Sequence, residues 1–186
     1  MKYTAGNRNK WKTLFSSQDE AWRTPPGVFA HFDKKYHFNF DAAASPYNAL
    51  TKQYFTKNEN ALERDWCKKG KGKKKRVIWL NPPYSRSLYK WIEKAYTESK
   101  KGCTVAVLVF ARTDTRWWHD FVLPHAYKIY FIKGRLRFGN ATAGAPFLDS
   151  KTGKIKGPAT APSCVIIFKR NRQKHPIVVS EIIHDK

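Results

Sequence analysis

Long hydrophobic runs are missing from this chain of 186 residues. The longest, Val105 to Ala111, falls far short of the ~20 apolar residues that cross a bilayer as a helix. The opening MKYTAGNRNKWK carries positive charge with no apolar segment behind it, so no secretory leader is expected and a soluble, cytoplasmic protein is. Cysteine is scarce. Cys67, Cys103 and Cys164 are odd in number and widely spaced, which argues against a disulfide framework and against a CxxC zinc site. Cys103 and Cys164 lie beside apolar stretches and read as buried thiols. The histidines (His31, His37, His119, His125, His175 and His184) have no ligand-like spacing, and no metal is expected. Acidic residues are few: 14 Asp and Glu stand against 36 Lys and Arg, a formal charge of +22. An excess of this size points to nucleic acid as partner, and no long basic amphipathic helix is present to favour a membrane surface instead.

Aromatics, by contrast, are plentiful at 15% of the chain, more than a disordered polycation would carry. Length and apolar content fit one domain with a real core. Residues 1–21 read as a basic, flexible arm, 22–176 as the domain, and 177–186 as a tail. Within the domain, Lys68 to Arg76 (KKGKGKKKR) is an exposed basic loop by like-charge repulsion. Its Gly-Lys pairs do not make a triphosphate-binding loop, because no Gly-x-x-x-x-Gly-Lys-Ser/Thr spacing exists.

Val77 to Leu80 (VIWL) is a continuous apolar run, as in a strand covered on both faces. Pro82 and Pro83 end it, since proline cannot donate to a ladder. Ser85 or Ser87 then starts a helix to about Lys100, with Leu88, Trp91, Ile92, Ala95 and Ser99 inside and Lys90, Glu93, Lys94 and Glu98 mostly outside. Gly102 terminates it. Thr104 to Phe110 is the next buried strand, giving a right-handed strand–helix–strand crossover. Upstream, WRTPPG (22–27) lets Thr24 cap a helix opened by Pro25 or Pro26, and Phe38 to Asp41 is a short strand ending in a carboxylate. Trp117 to Val122 is a further helix stopped by Pro124. Lys128 to Ile132 and Ser163 to Phe168 form an antiparallel pair around a Gly- and Pro-rich excursion, 139–162. The expected fold is α/β with a mostly parallel sheet and an antiparallel C-terminal edge.

Asn81, Pro82, Pro83 and Tyr84 follow a buried strand, at the end where open α/β sheets bind ligands. The carbonyl groups of Asn81 and Pro82 can together accept both hydrogens of an aromatic amine, and Tyr84 can stack on a planar ring. Two acceptors on such an amine favour pyramidal nitrogen and free its lone pair to attack an electrophilic methyl. The gain is in positioning and electrostatics, without a strong base. A base inside a duplex would have to be flipped out to reach such a pocket.

These residues carry a resemblance. NPPY after a hydrophobic strand resembles the catalytic motif of S-adenosylmethionine-dependent amino methyltransferases. From Trp22 to Phe168 the chain is similar to the small phage and prophage DNA N6-adenine methyltransferases. The similarity lies in WRTPP, FNFDAAASPYNAL, WLNPPYSRSLYKWIEKA, ARTDTRWWHDFV, and IKGRLRFG followed by APF. The resemblance implies a Rossmann-like methyltransferase fold and S-adenosylmethionine as cofactor. It also implies methylation of N6 of a flipped adenine in double-stranded DNA, in the host cytoplasm. A chain this short lacks a large recognition domain, so a short site is expected, and one flipped base needs one pocket, so a monomer is expected. The resemblance assigns catalysis to Asn81, Pro82, Pro83 and Tyr84. Cofactor binding falls to Thr24, Pro25, Asp41, Ala42 and Ala43, and to Asp65 at the cofactor's adenine. Asp41 would meet the cationic amino group of the cofactor, although DAAASPYNA lacks the glycine-rich loop common after such an acid.

Phosphate contacts are expected from Lys68, Lys69, Lys71, Lys73, Lys74, Lys75 and Arg76 in the basic loop, and from Arg112 and Arg116 after the second buried strand. Lys133, Arg135 and Arg137 join them, alternating with Gly134, Leu136 and Phe138 along a ribbon. N4-cytosine methylation uses the same amine chemistry and remains an alternative. So does a catalytically degenerate DNA-binding protein, which would explain the charge but not an intact NPPY.

Overall fold

The computed structural model describes residues 22–68, 75–138, 159, 161–170 and 175–183. The first helix, α1 (Pro26–Tyr36), starts with proline, whose missing N–H costs nothing there. It buries Val28 and Phe32, and it ends at His37, whose left-handed backbone (φ 55°) turns its N–H back to the Asp33 carbonyl. Thr24 does not cap it: Pro25 holds the cap position, and the Thr24 hydroxyl instead accepts the indole N–H of Trp79 at 3.2 Å. A fully buried indole must find an acceptor, and Thr24 is the one the fold supplies.

The strands are β1 (Phe40–Asp41), β2 (Val77–Leu80), β3 (Thr104–Phe110), β4 (Lys128–Ile132), β5 (Ser163–Phe168) and β6 (Ile177–Glu181). They form one sheet in the order β1-β2-β3-β5-β4-β6. β1, β2 and β3 are parallel, β5 runs against both β3 and β4, and β6 is parallel to β4. This is the mixed α/β sheet expected, with antiparallel pairing in its C-terminal half. β5 lies inside the sheet, and the segment read as a tail supplies the outer strand β6.

One consequence governs everything that follows: β1, β2, β3, β4 and β6 all end at the same edge, and β5 begins there. Asp41, Asn81, Ala111, Lys133 and Ser163 are therefore neighbours along one rim, although they are scattered through the sequence.

Helix α2 (Leu88–Lys100) makes the β2–β3 crossover, and Gly102 (φ 103°) takes the left-handed conformation that turns the chain into β3. Trp91, Ile92, Ala95 and Ser99 face inward as their spacing predicts. Glu98 does not point outward: it is fully buried. Its carboxylate accepts the Trp66 backbone N–H at 3.1 Å and pairs with Lys94 at 2.7 Å and Lys101 at 2.9 Å. The helical period alone could not reveal this, because the segment covering Glu98, residues 61–67, is remote in sequence. The same folding-back corrects the cysteine reading. Cys67 and Cys103 are joined as a disulfide with Cα atoms 5.6 Å apart, and Cys164 is the buried free thiol.

Two apolar layers sandwich the sheet. Ile78, Leu80, Val105, Val107 and Val109 face α2, Trp66 and the turn Trp118–Val122. Trp79, Ala106, Leu108, Val165 and Ile167 face α1. Alternation along β2 and β3 feeds both layers, which is why these strands read as continuous apolar runs. The expected helix at Trp117–Val122 is a π-helical turn, Trp118–Val122, continuing into α3 (Leu123–His125), after which the chain extends. No described helix is long and apolar enough to cross a membrane.

Candidate active site and nucleic-acid interface

Asn81 is the first residue past β2. Its side-chain nitrogen donates to the backbone carbonyl of Trp22 at 2.5 Å. A carbonyl can only accept, so this contact fixes which end of the amide is which. The other end, Oδ1, is buried and has no hydrogen-bond partner among the described residues. Buried polar atoms are nearly always paired, so an orphaned acceptor at the rim of a sheet asks for a donor beyond the described residues.

Around it stand four aromatic rings. Tyr84 packs on Phe110 with centroids 4.6 Å apart, and Trp22 and Phe138 complete the cluster at 5.6 to 6.5 Å. The Tyr84 hydroxyl donates to the Leu108 carbonyl at 3.3 Å, tying the loop to β3. Burial pushes that hydroxyl well above the ordinary tyrosine range, so it stays protonated. Tyr84 is thus more deeply built in than a free stacking platform would be. Pro82 is buried and Pro83 half-buried, so the loop backbone is rigid.

Asp41 ends β1, 3% exposed. Its two carboxylate oxygens accept the backbone N–H groups of Ala43 (3.2 Å) and Leu50 (3.3 Å), which shapes the loop after the strand. Burial pushes its pKa up to about 6, and the two N–H bonds offset that only in part. No ion pair reaches it among the described residues. Ala42 is buried and Ala43 half-buried, leaving the backbone close to the carboxylate. The loop is closed by Ser45 with Asn48 and by Arg23, which donates to the Tyr47 carbonyl at 3.0 Å. Thr24 and Pro25 are both buried, and Thr24 is tied to β2 through the Trp79 indole.

Asp65 belongs elsewhere. It pairs with Lys101 at 3.5 Å and caps the Cys67 N–H, at the edge where β2 and β3 begin. That edge is opposite Asn81 and Asp41, and the expectation of a cofactor contact there is corrected. Lys68, Lys75 and Arg76 share this far edge. The Arg76 guanidinium lies over the Phe40 ring at 4.0 Å and donates to the Trp66 carbonyl, so it braces the fold instead of facing solvent. Lys69, Lys71, Lys73 and Lys74 lie outside the described residues.

The remaining basic residues are at the Asn81 rim. Lys133, Arg135 and Arg137 are exposed while Leu136 and Phe138 are buried, the alternation the sequence suggests. The segment is extended without being a ladder strand: Gly134 (φ 86°) turns it, and Ala159 donates to the Leu136 carbonyl. Arg112 is half-buried just past β3. Arg116 is exposed and pairs with Asp120 at 3.2 Å beside the Tyr89 ring.

Trp22, Phe110 and Ser163 are rim residues that the sequence does not single out. Their positions in the chain are too far apart for any spacing rule, although Trp22 precedes the recognisable Thr24 and Pro25.

Known proteins resemble this chain. A family model described as DNA N-6-adenine-methyltransferase (Dam) matches residues 11–185. A DNA N-6-adenine-methyltransferase of Escherichia phage T1 is 28% identical over 193 aligned residues, covering 97% of this chain and 78% of its own. One of Haemophilus phage HP1 is 27% identical over 157 residues, covering 82% of this chain and 80% of its own.

Proposed function

The chain belongs to the DNA N-6-adenine-methyltransferase (Dam) family of adenine-specific DNA methyltransferases, and from that premise we propose that it transfers the methyl group of S-adenosylmethionine to N6 of an adenine flipped out of duplex DNA at a short site. The observation that carries the reading is the orphaned, buried Asn81 Oδ1, whose amide is fixed at its other end by the Trp22 carbonyl.

In this mechanism Asn81 Oδ1 accepts one hydrogen of the adenine amine and the Pro82 carbonyl accepts the second. The nitrogen is drawn toward pyramidal geometry and its lone pair turns toward the methyl donor. When bound, S-adenosylmethionine supplies an electrophilic methyl on a sulfonium. The nitrogen held by Asn81 and Pro82 would take that methyl, leaving the sulfur as a neutral thioether, and would release one proton to water. Pro82 and Pro83 keep the acceptors fixed, so little reorganisation remains for the reaction itself. Tyr84 and the rings around it exclude water from the amine.

The residues present fit the cofactor. Asp41 is a buried carboxylate without a cationic partner among the described residues, suited to the cofactor's ammonium group. Ala42 and Ala43 allow close approach, and Thr24 and Pro25 hold the segment that closes the site. Lys133, Arg135, Arg137, Arg112 and Arg116 are the phosphate contacts on the same rim. One flipped base needs one pocket, so the working unit is a monomer in the cytoplasm of the host.

The direct test is transfer of labelled methyl from S-adenosylmethionine to unmethylated DNA, with nucleoside mass analysis of the product. N6-methyladenine is the expected product, and N4-methylcytosine would redirect the assignment. Asn81→Ala abolishes transfer while DNA binding is largely kept; unchanged transfer would sink the role given to Asn81.

A further inference from the structure

A second orphaned oxygen, a hydroxyl, lies on the same rim. Ser163 opens β5, is 1% exposed, and its Oγ has no hydrogen-bond partner among the described residues. Directly opposite residues of an antiparallel pair share a face, and Ser163 stands opposite Phe110. Phe110 is the ring that packs on Tyr84. Alternation puts Ser163 on the side of Val165 and Ile167, the layer that also holds Trp79. Two residues beyond Trp79, on that same side, is Asn81.

The two buried orphan oxygens of the rim, Asn81 Oδ1 and Ser163 Oγ, therefore flank one aromatic cluster from strands two places apart in the sheet order. Leu80 is level with Val107 and Ser163 with Phe110, so two strand spacings and an offset of two residues put the backbones of Asn81 and Ser163 about 12 Å apart. With both side chains standing off the same face, a purine with a hydrogen bond of about 2.9 Å at each end covers a span of that order. Asn81 Oδ1 is an acceptor only, whereas a serine hydroxyl can donate. An adenine whose amine is given to Asn81 keeps only acceptors on its ring, namely N1, N3 and N7.

We propose that Ser163 is a substrate-binding residue that donates its hydroxyl hydrogen to a ring nitrogen of the flipped target adenine, fixing the rotation of the base about its amine. The inference rests on the adenine-methylation reading above. It assigns the unpaired hydroxyl a partner and explains why a polar residue begins an otherwise apolar buried strand.

The test uses the full chain and duplexes carrying its mapped site with adenine, 1-deazaadenine, 3-deazaadenine or 7-deazaadenine at the target position. With adenine, Ser163→Ala lowers kcat/KM about tenfold, the size of one neutral hydrogen bond. On one of the three analogues the wild type is equally slowed and Ser163→Ala adds no further loss; on the other two the tenfold gap persists. The melting temperature of the protein without ligands is unchanged or raised by Ser163→Ala, because an unsatisfied buried hydroxyl has been removed. Wild-type rates in Ser163→Ala, a loss of equal factor on every analogue, a loss confined to KM for S-adenosylmethionine, or a lowered melting temperature would each overturn the assignment. Absence of adenine methylation by the wild type would instead overturn the reading on which it rests.

Discussion

At the residue scale, Asp41 carries two opposing pH dependences. Burial raises its folded pKa from 3.8 to about 6, so the folded chain holds a proton there more tightly than the unfolded chain does. Its contribution to stability is complete below the unfolded value and is lost as pH rises through about 6. Cofactor binding runs the other way, since a cationic ammonium group needs the ionised carboxylate. Affinity for S-adenosylmethionine, measured by calorimetry, is expected to rise as pH increases through about 6 and to be low and nearly flat in Asp41→Asn. Over the same range the ligand-free wild type loses melting temperature relative to Asp41→Asn. Parallel profiles in the two proteins would remove Asp41 from the cofactor site. Thr24 makes a different kind of contribution. Replacing it with Val keeps its shape and removes the acceptor for the Trp79 indole N–H, leaving a buried donor unpaired. Denaturant titration of Thr24→Val is expected to show a loss of about 1–3 kcal/mol.

At the scale of elements, the β2–α2–β3 unit was legible because its periodicities change from continuous to helical and back, with Pro82, Pro83 and Gly102 as punctuation. Glu98 was not legible. Its helical position is solvent-facing by period, and it is buried only because Trp66 and its neighbours fold over the end of α2. A carboxylate paired with Lys94 and Lys101 and bound to the Trp66 N–H leaves those partners uncompensated when removed. Glu98→Ala is expected to destabilise the fold by about 3–5 kcal/mol, with Glu98→Gln closer to wild type because it keeps an acceptor for Trp66. Equal stability of all three proteins in chemical denaturation would contradict this account. The Tyr84 loop is a parallel case. Its motif is obvious in sequence, but its hydroxyl bond to the Leu108 carbonyl and its contact with Phe110 depend on β3 being the next strand.

At the scale of the whole molecule, the described basic residues expected to meet phosphate fall on two edges of the sheet. Lys133, Arg135 and Arg137 share the Asn81 rim, whereas Lys68 and Lys75 flank the opposite edge. Phosphates beside a base flipped to Asn81, as proposed, would lie within reach of the first set. Changing Lys133, Arg135 and Arg137 together to Gln is expected to weaken binding alike on all sequences. It should also reduce the slope of log affinity against log salt by up to about 3. With a duplex just covering the site, changing Lys68 and Lys75 to Gln leaves the slope as it was. A reversed ranking of the two variants would move the DNA path to the far edge.

Local features determined much of this protein by themselves. Apolar runs and proline stops defined the strands and the helix between them, the charge excess pointed to nucleic acid, and Asn81 to Tyr84 marked the loop proposed to be reactive. Each is a signal carried by adjacent residues, and adjacent residues share one element whatever the rest of the chain does. The tertiary structure decided what depends on strand order and direction. It turned Arg76 and Glu98 inward, joined Cys67 to Cys103, carried Asp65 to the wrong edge for a cofactor, and gathered Trp22, Phe110, Phe138 and Ser163 around Asn81. Those outcomes follow from β5 reversing between β3 and β4 and from residues 61–67 folding back over α2. Both are long-range pairings whose free energy comes from burial on the two faces of the sheet, and no local spacing encodes them.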